Sequence, residues 1–261
     1  MLWLPTSQTP EEVSAEFYDL FYGDRKDVDF FVSVAQQIGG PVLELGCGTG
    51  RILVPIAAAG VDIAGIDLSP ANLDICRTRL EAVIPRAAAS RVIEADMRRF
   101  ELDRTFRLAI FPFRTLQEIL TVDDKVECLR CTRRHLQDGG FVLIDNYNPS
   151  IPYLAEPLGA ESSSPLITLA DGRRVRRTDR VVGRDLFAQT QECEIVYDVT
   201  QPGGTRERTV ISYRTSYMFR YELEHLLART GFDVVEVYGA YDRSPFGTAY
   251  PGELIMLGRV R

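Results

Sequence analysis

In residues 41–51, PVLELGCGTGR, an apolar run holding one acid, Glu44, gives way to glycines at 46, 48 and 50. Stripping side chains from alternate residues lets the chain bend sharply and brings backbone N–H groups against a ligand, with a helix N-terminus behind them. Two further acids follow in order. Asp67 closes the apolar run VDIAGID, 21 residues after Gly46, and Asp96, followed by Met97, closes RVIEAD. A carboxylate at the first place can accept from both hydroxyls of a ribose. Each acid alone reads as a solvated strand end or a helix cap. At the ends of successive parallel strands they line the crevice that opens at a topological switch point. A dinucleotide loop wants G-x-G-x-x-G. Gly46 and Gly48 fit that spacing, but Arg51 stands at its third glycine and Gly50 comes one residue early.

The elements that must carry these residues alternate. Thr9-Pro10-Glu11-Glu12 starts a helix with a capping box, and Val13, Phe17, Leu20 and Phe21 share one face of it. After Gly23 a second helix spans about 27–38 and ends at Gly39-Gly40. Strands are expected at 42–45, 61–67, 91–96, 106–111 and 141–147, with helices over 51–59, from the Ser69-Pro70 cap to about Val83, and over 121–136. Strict alternation implies right-handed parallel βαβ units. The fold class is α/β, a doubly wound, mostly parallel sheet.

Residues 150–217 break the rhythm. GAESSSP (159–165) reads as loop, and LITLADGRRVRR, RDLFAQTQECEIVYDV and RERTVISYRTSY read as strands joined by Asp-Gly and Pro-Gly-Gly turns. The expected division is an N-terminal helical lid (1–40), an α/β core (41–149), an antiparallel insertion (150–217), and a last helix with two strands (218–261). Phe187, Tyr197, Tyr213, Tyr217 and Phe219 suit a small core or the face of a homodimer.

The pattern Glu44-x-Gly46-x-Gly48-x-Gly50, with Asp67 and Asp96-Met97 at later strand ends, resembles the class I S-adenosylmethionine (SAM) dependent methyltransferases, whose sheet has seven strands. The resemblance covers about residues 10–149 and 219–261. It implies SAM as cofactor and S-adenosylhomocysteine as product. The methionine portion would lie over Gly46, Cys47 and Gly48, with Glu44 near its ammonium group. Asp67 and Leu68 would meet the ribose, Asp96 and the backbone of Met97 the adenine, and Phe111 would wall the methionine end. The layout is similar to small-molecule members, in particular N,N-dimethyltransferases of nucleotide-linked amino sugars and, more loosely, glycine N-methyltransferases. In the sugar enzymes a Tyr-Asp-Leu-Phe-Tyr segment, here Tyr18–Tyr22, folds over the cofactor, and Tyr22 faces the acceptor. Core packing of an amphipathic helix is the competing reading for those tyrosines.

FPFRTLQEIL (111–120) lacks the Asn-Pro-Pro-Tyr kind of motif of aminomethyltransferases acting on DNA, RNA or protein. Arg114, Gln117 and Glu118 stand where the acceptor site should open, with Tyr147, Tyr217 and Arg243 as further acceptor contacts. Glu118 occupies about the place of a histidine or tyrosine in the sugar enzymes. It is a candidate base or cation holder; a solvated residue on a short helix is the alternative. Methyl transfer asks mainly for in-line alignment and exclusion of water. A SAM-binding protein without turnover, and a macromolecular methyltransferase using the insertion, are rival readings.

The formal net charge of −7 disfavours nucleic acid or an anionic membrane as partner. Five cysteines without framework spacing suit reduced thiols, and MLWLPTSQTP lacks the pattern of a secretion signal, so a cytoplasmic location is expected. Cys128-x-x-Cys131 lies within one helix with no second pair, so no metal is assigned. Arg173, Arg174, Arg176, Arg177, Arg180 and Arg184 read as edge-strand charges, or as a grip on an acceptor phosphate or carboxylate.

Overall fold

Short apolar runs bounded by turn residues become strands, and the amphipathic stretches between them become helices. The computed structural model describes residues 8–22, 26–85 and 88–261; Gly23 and the leading MLWLP lie outside them. The first elements are α1 (Pro10–Tyr22), α2 (Asp27–Ile38), β1 (Val42–Leu45), α3 (Leu53–Ala58), β2 (Ile63–Asp67), α4 (Pro70–Glu81), α5 (Ala88–Arg91) and β3 (Val92–Glu94). Next come β4 (Phe106–Phe111), a 3-10 turn (Thr115–Glu118), α6 (Val122–Arg134), β5 (Leu136–Asn146) and α7 (Ile151–Leu154). Then follow β6 (Glu161–Ser163), β7 (Ile167–Thr168), β8 (Arg174–Asp185), β9 (Thr190–Thr200), β10 (Arg206–Ser216), α8 (Arg220–Arg229), β11 (Phe232–Tyr238) and β12 (Leu254–Val260).

The chain divides into two compact units. One runs Tyr18–Ser150 and Tyr217–Arg261. Its seven strands form a single sheet in the order β11-β12-β5-β4-β1-β2-β3. β1 is parallel to β2 and β4, β4 to β5, and β2 to β3; β12 runs antiparallel to both β5 and β11. Sequence order reverses between β1 and β4, so their carboxyl ends flank the switch point. Both faces are covered: Leu43, Phe111, Leu129 and Leu223 pack on one side, Phe31, Leu53, Leu73 and Ile110 on the other. Every residue of β1 is buried, which is why VLEL lacks the polar alternation of a half-exposed strand.

The other unit joins the described residues up to Phe17 to Ile151–Ser216. The helical segment expected as one N-terminal element therefore contributes to both units, with the division inside α1. The second sheet has the order β10-β9-β8-β6, with β7 also on β8. Thr9 caps α1 as expected: its hydroxyl accepts from Glu12 N–H at 3.2 Å, and Glu12 accepts from Thr9 N–H at 2.8 Å.

Several boundaries differ from expectation. RDLFAQTQECEIVYDV is broken after Asp185, whose Oδ1 accepts from the N–H groups of Phe187 and Ala188 at 2.9 Å each, while Gln189 takes φ 52°. This turn holds no Gly or Pro, so no turn signal marks it. GAESSSP, read as loop, contributes β6 through pairing with β8. β3 ends at Glu94, and Asp96 sits beyond it in an isolated bridge with Arg99.

Candidate active site

The turn after β1 is drawn tight by its own backbone. Gly46 and Cys47 N–H both donate to Ile66 O at 2.8 and 3.0 Å, and Gly50 N–H donates to Cys47 O at 2.9 Å. Gly46, Gly48 and Gly50 take φ 69°, 53° and 84°, a region that L side chains resist. Their surroundings differ. A Cβ on Gly46 would meet Thr115 Cγ2 at 2.5 Å, and one on Gly50 would meet Cys76 Sγ at 2.8 Å, whereas nothing lies within 4 Å of one on Gly48. Two of the three glycines are therefore needed by the protein itself, and only Gly48 opens toward free space. Cys47 is buried with its side chain against Gly65.

Glu44 is 2% exposed, and its Oε2 has no hydrogen-bond partner among the described residues. Burial pushes its carboxyl well above the usual range. An unpaired buried carboxyl is costly, and a cationic N–H donor beside Gly48 would satisfy it. The orphan oxygen and the open Gly48 together fit the ammonium end of a SAM-like ligand.

Asp67 is already wired to the turn: Oδ2 accepts from Gly48 N–H at 2.9 Å and Oδ1 from Ser69 N–H at 2.8 Å. A carboxylate offers about four acceptor positions, so capacity remains for hydroxyls. Leu68 beside it is 60% exposed. Asp96 is gripped by Arg98, whose Nε and Nη2 donate at 3.0 and 2.6 Å and whose backbone N–H donates at 2.9 Å. Those bonds hold its carboxyl below the ordinary value. Arg98 is thus a partner that the sequence reading left out. Met97 is half-buried against the core.

The C-terminal half of α1 belongs to this same unit. Asp19 accepts from the Thr49 hydroxyl at 3.1 Å and pairs with Arg79, which also donates to Thr49 O at 3.1 Å. Tyr18 and Tyr22 stack at 4.8 Å between centroids, and Phe113 lies 4.9 Å from Tyr22 and 6.4 Å from Tyr18. Burial raises the Tyr18 phenol, which also hydrogen-bonds to Arg51. Arg51 lies 5.2 Å over the Phe113 ring and forms a bidentate pair with buried Asp27 at 2.8 and 2.7 Å. Phe111, assigned to the cofactor wall, has no exposed surface and belongs to the core; Phe113, two residues on, stands at the aromatic cluster instead. Phe113 and Arg114 take φ 48° and 73°, held by bonds from their N–H groups to Asp145 Oδ2 and Asp145 O, each at 3.1 Å. Such backbone strain in non-glycine residues concentrates at functional sites.

Glu118 ends the 3-10 turn. Its side chain is exposed to solvent, although protein atoms surround it closely. Burial, and secondarily the charge of Asp67, push its carboxyl up to about 7. The other acceptor candidates are more occupied. Gln117 is buried, and its Oε1 accepts from Tyr147 N–H at 2.7 Å. Arg114 pairs with Glu253 at 2.9 Å, approaches Asp145 at 3.6 Å, and lies 5.5 Å over the Tyr147 ring. Tyr241 donates to Asp145 at 2.8 Å, so Arg114, Asp145, Tyr241 and Glu253 form one internal network. Arg243 bonds Gln37 at 2.8 Å and Ser33 at 3.0 Å on α2; an acceptor contact is replaced by a helix anchor. Tyr217 is buried, edge-on to Phe219 at 6.2 Å.

Within the other unit the arginine series is largely spent on internal bonds. Arg173 pairs with Glu16 and Asp171, Arg177 with Asp179, and Arg180 with Glu194 and Glu161, while Arg184 donates to the carbonyls of Leu154 and Glu156. Arg174 and Arg176 remain exposed on β8. Cys131 Sγ contacts the backbone of Phe100 at 3.4 Å, and all five cysteines are free and buried. No helix of the described residues is long and apolar enough to cross a membrane.

Residues 42–140 match the model of the methyltransferase domain family. The cypemycin N-terminal methyltransferase of a Streptomyces species is 27% identical over 95% of this chain and 97% of its own length. A dTDP-3-amino-3,4,6-trideoxy-alpha-D-glucopyranose N,N-dimethyltransferase of Streptomyces venezuelae is 26% identical over 72% of this chain and 77% of its own. Among solved structures, the SAM-bound amino pentose methyltransferase CalS10 of Micromonospora echinaspora superposes with a TM-score of 0.71, covering 94% of this chain and 97% of that one at 22% identity.

Proposed function

Since the chain is a SAM-dependent methyltransferase of the class I fold, we propose that its acceptor is an aliphatic primary or secondary amine carried by a small molecule. The observation that carries this reading is Glu118, a solvent-exposed carboxyl at the end of the 3-10 turn in the unit that holds the glycine turn, which its surroundings raise to about 7. A hydroxyl would need a far stronger base, whereas an aliphatic amine exists almost wholly as its ammonium form at neutral pH and must lose that proton before it can attack. Of two relatives, one is named for acting at a peptide's N-terminus, and the other for dimethylating the nitrogen of an amino sugar.

Glu44 and the open face of the turn at Gly48 would hold the methionine portion of the cofactor, Asp67 the ribose and the Asp96–Met97 segment the adenine. When bound, the cofactor supplies an activated methyl group on a sulfonium. Everything else falls to this chain's residues. Glu118 attracts the ammonium form, then takes its proton onto a carboxylate oxygen, which frees the nitrogen lone pair. The rings of Tyr18, Tyr22 and Phe113 exclude water and favour a cation by their π faces. Arg114, locked between Asp145, Glu253 and Tyr147, holds the strained Phe113–Arg114 turn that carries the aromatic wall.

The test is methyl transfer from labelled SAM to matched pairs of small amines and alcohols. Transfer to amines, lowered by Glu118→Gln with SAM affinity little changed, is expected. Exclusive transfer to hydroxyls would refute the reading.

A further inference from the structure

Four arginines, Arg130, Arg133 and Arg134 on α6 and Arg229 on α8, line one open concavity of about 400 Å³ together with Thr230 and Gly231. All lie in the unit that holds the methyl-transfer site. α6 leads into β5, which is parallel to β4, and α8 leads into β11, which shares that direction by two antiparallel steps through β12. Both helices therefore end at the amino edge of the sheet, whereas Glu44, Asp67 and Asp96 belong to its carboxyl edge. The concavity is a second place on the molecule.

Its charge is uncompensated. Among the described residues most of the protein's arginines are tied to carboxylates or carbonyls, yet none of these four forms an ion pair. Helix C-termini attract cations, but two of them present only about one negative charge in all. The last carbonyls are already served by the backbone, through His135 N–H on Thr132 O at 3.0 Å and Thr230 N–H on Leu226 O at 3.1 Å. Four positive charges against that leave a strong local surplus in a chain of net charge −7.

Its shape is prepared as well. Gly231 takes φ 90°, and a Cβ there would meet Arg133 Nε at 2.7 Å and Cζ at 3.1 Å. The missing side chain leaves room for the Arg133 guanidinium beside the Gly231 backbone, on the wall of the concavity. A guanidinium fork matches two oxygens of one phosphate, and two forks can share one phosphate. Four of them suit two adjoining phosphates. We propose that this concavity binds a small organic di- or triphosphate, away from the methyl-transfer site. The bounded, concave cluster favours a small polyanion over the extended basic stripe that a nucleic acid tracks.

The experiment uses the full chain at low salt with inorganic pyrophosphate and tripolyphosphate as probes, read by calorimetry. Wild type should bind both saturably, tripolyphosphate more tightly. The double charge reversal R133E/R229E should weaken binding by at least about tenfold. R133K/R229K, which keeps charge and loses the forks, should fall between. SAM affinity measured on each variant reports folding independently. Absence of saturable binding by wild type, equal binding by the charge-reversed protein, or binding of single-stranded RNA without binding of either probe would overturn the proposal.

Discussion

Asp19 and Thr49, 30 residues apart, are joined by a 3.1 Å hydrogen bond that ties helix α1 to the glycine turn. Arg79 closes the triangle by bonding both the Asp19 carboxylate and Thr49 O. The Tyr18–Tyr22 segment is thereby registered on the glycine turn by the acid between its two tyrosines. Asp19→Ala removes a partly buried charged partner and is expected to cost about 1–3 kcal/mol in denaturant unfolding. It should also weaken SAM binding severalfold by releasing the segment. Unchanged SAM affinity by calorimetry would show that the latch serves packing alone.

Gly46 and Gly48 differ in what a side chain would strike, and so should their alanine variants. Gly46→Ala drives a methyl into Thr115 and imposes φ strain, so lost stability of about 1–3 kcal/mol is expected alongside weaker SAM binding. Gly48→Ala meets no protein atom within 4 Å. Its stability loss should stay near the φ penalty, about 1 kcal/mol, while SAM affinity falls by tenfold or more. Thermal unfolding with parallel titration separates the two. Equal effects on affinity and stability in both variants would place the ligand elsewhere.

The sheet and the glycine turn were legible because period and spacing act locally. Buried parallel strands need unbroken apolar runs, and a sharp strand-to-helix turn needs glycine. What escaped were partners brought together from afar. Asp27 begins α2 and Arg51 ends the glycine turn, yet they form a buried bidentate pair; neither residue type nor spacing announces it. Arg243 anchors to Ser33 and Gln37, more than 200 positions earlier in the chain, for the same reason. Phe111 and Phe113 show the effect of a strand's end: the last residue of a central strand is swallowed by the core, and the left-handed turn beyond it leaves the next ring half-buried at the aromatic cluster. The β8–β9 turn carried no glycine because Asp185 supplies its bonds.

The Asp27–Arg51 pair sets a further expectation. Asp27 has no exposed side-chain surface and Arg51 only 8%. Asp27→Ala strands a buried guanidinium and should cost about 3–5 kcal/mol, seen as a fall in the denaturant midpoint. A loss under 1 kcal/mol would mean that Tyr18 and the Phe113 ring alone suffice to hold Arg51.

Asp145 makes stability depend on pH. Burial, opposed by Arg114, raises its carboxyl from 3.8 to about 6 in the folded protein. Between those values the folded state holds a proton that the unfolded state has released, so this group's contribution declines as pH climbs from about 4 to 6. Asp145→Asn cannot titrate. Its stability relative to wild type should improve across that window by on the order of 3 kcal/mol. Urea unfolding at several pH values provides the comparison; parallel curves for the two proteins would remove Asp145 as the source.

Glu118 should impose the corresponding signature on turnover. Its carboxyl is raised to about 7, and in the proposed role it can take a proton only when ionised. Below that pH kcat/KM for a small amine should fall about tenfold per unit, as the fraction of carboxylate falls. Glu118→Gln removes the acceptor of the proton and should lower kcat/KM by roughly 10²–10⁴ while abolishing that limb. Titration of the amine itself lies at higher pH and should persist in both proteins. SAM affinity, which the proposed site assigns to the turn and Asp67, should change little. The stability sign is opposite to the catalytic one: a raised carboxyl favours the fold at low pH, so Glu118→Gln should be the more stable protein above pH 7. A variant that keeps the limb near 7 would transfer the base role to the acceptor's own ionisation.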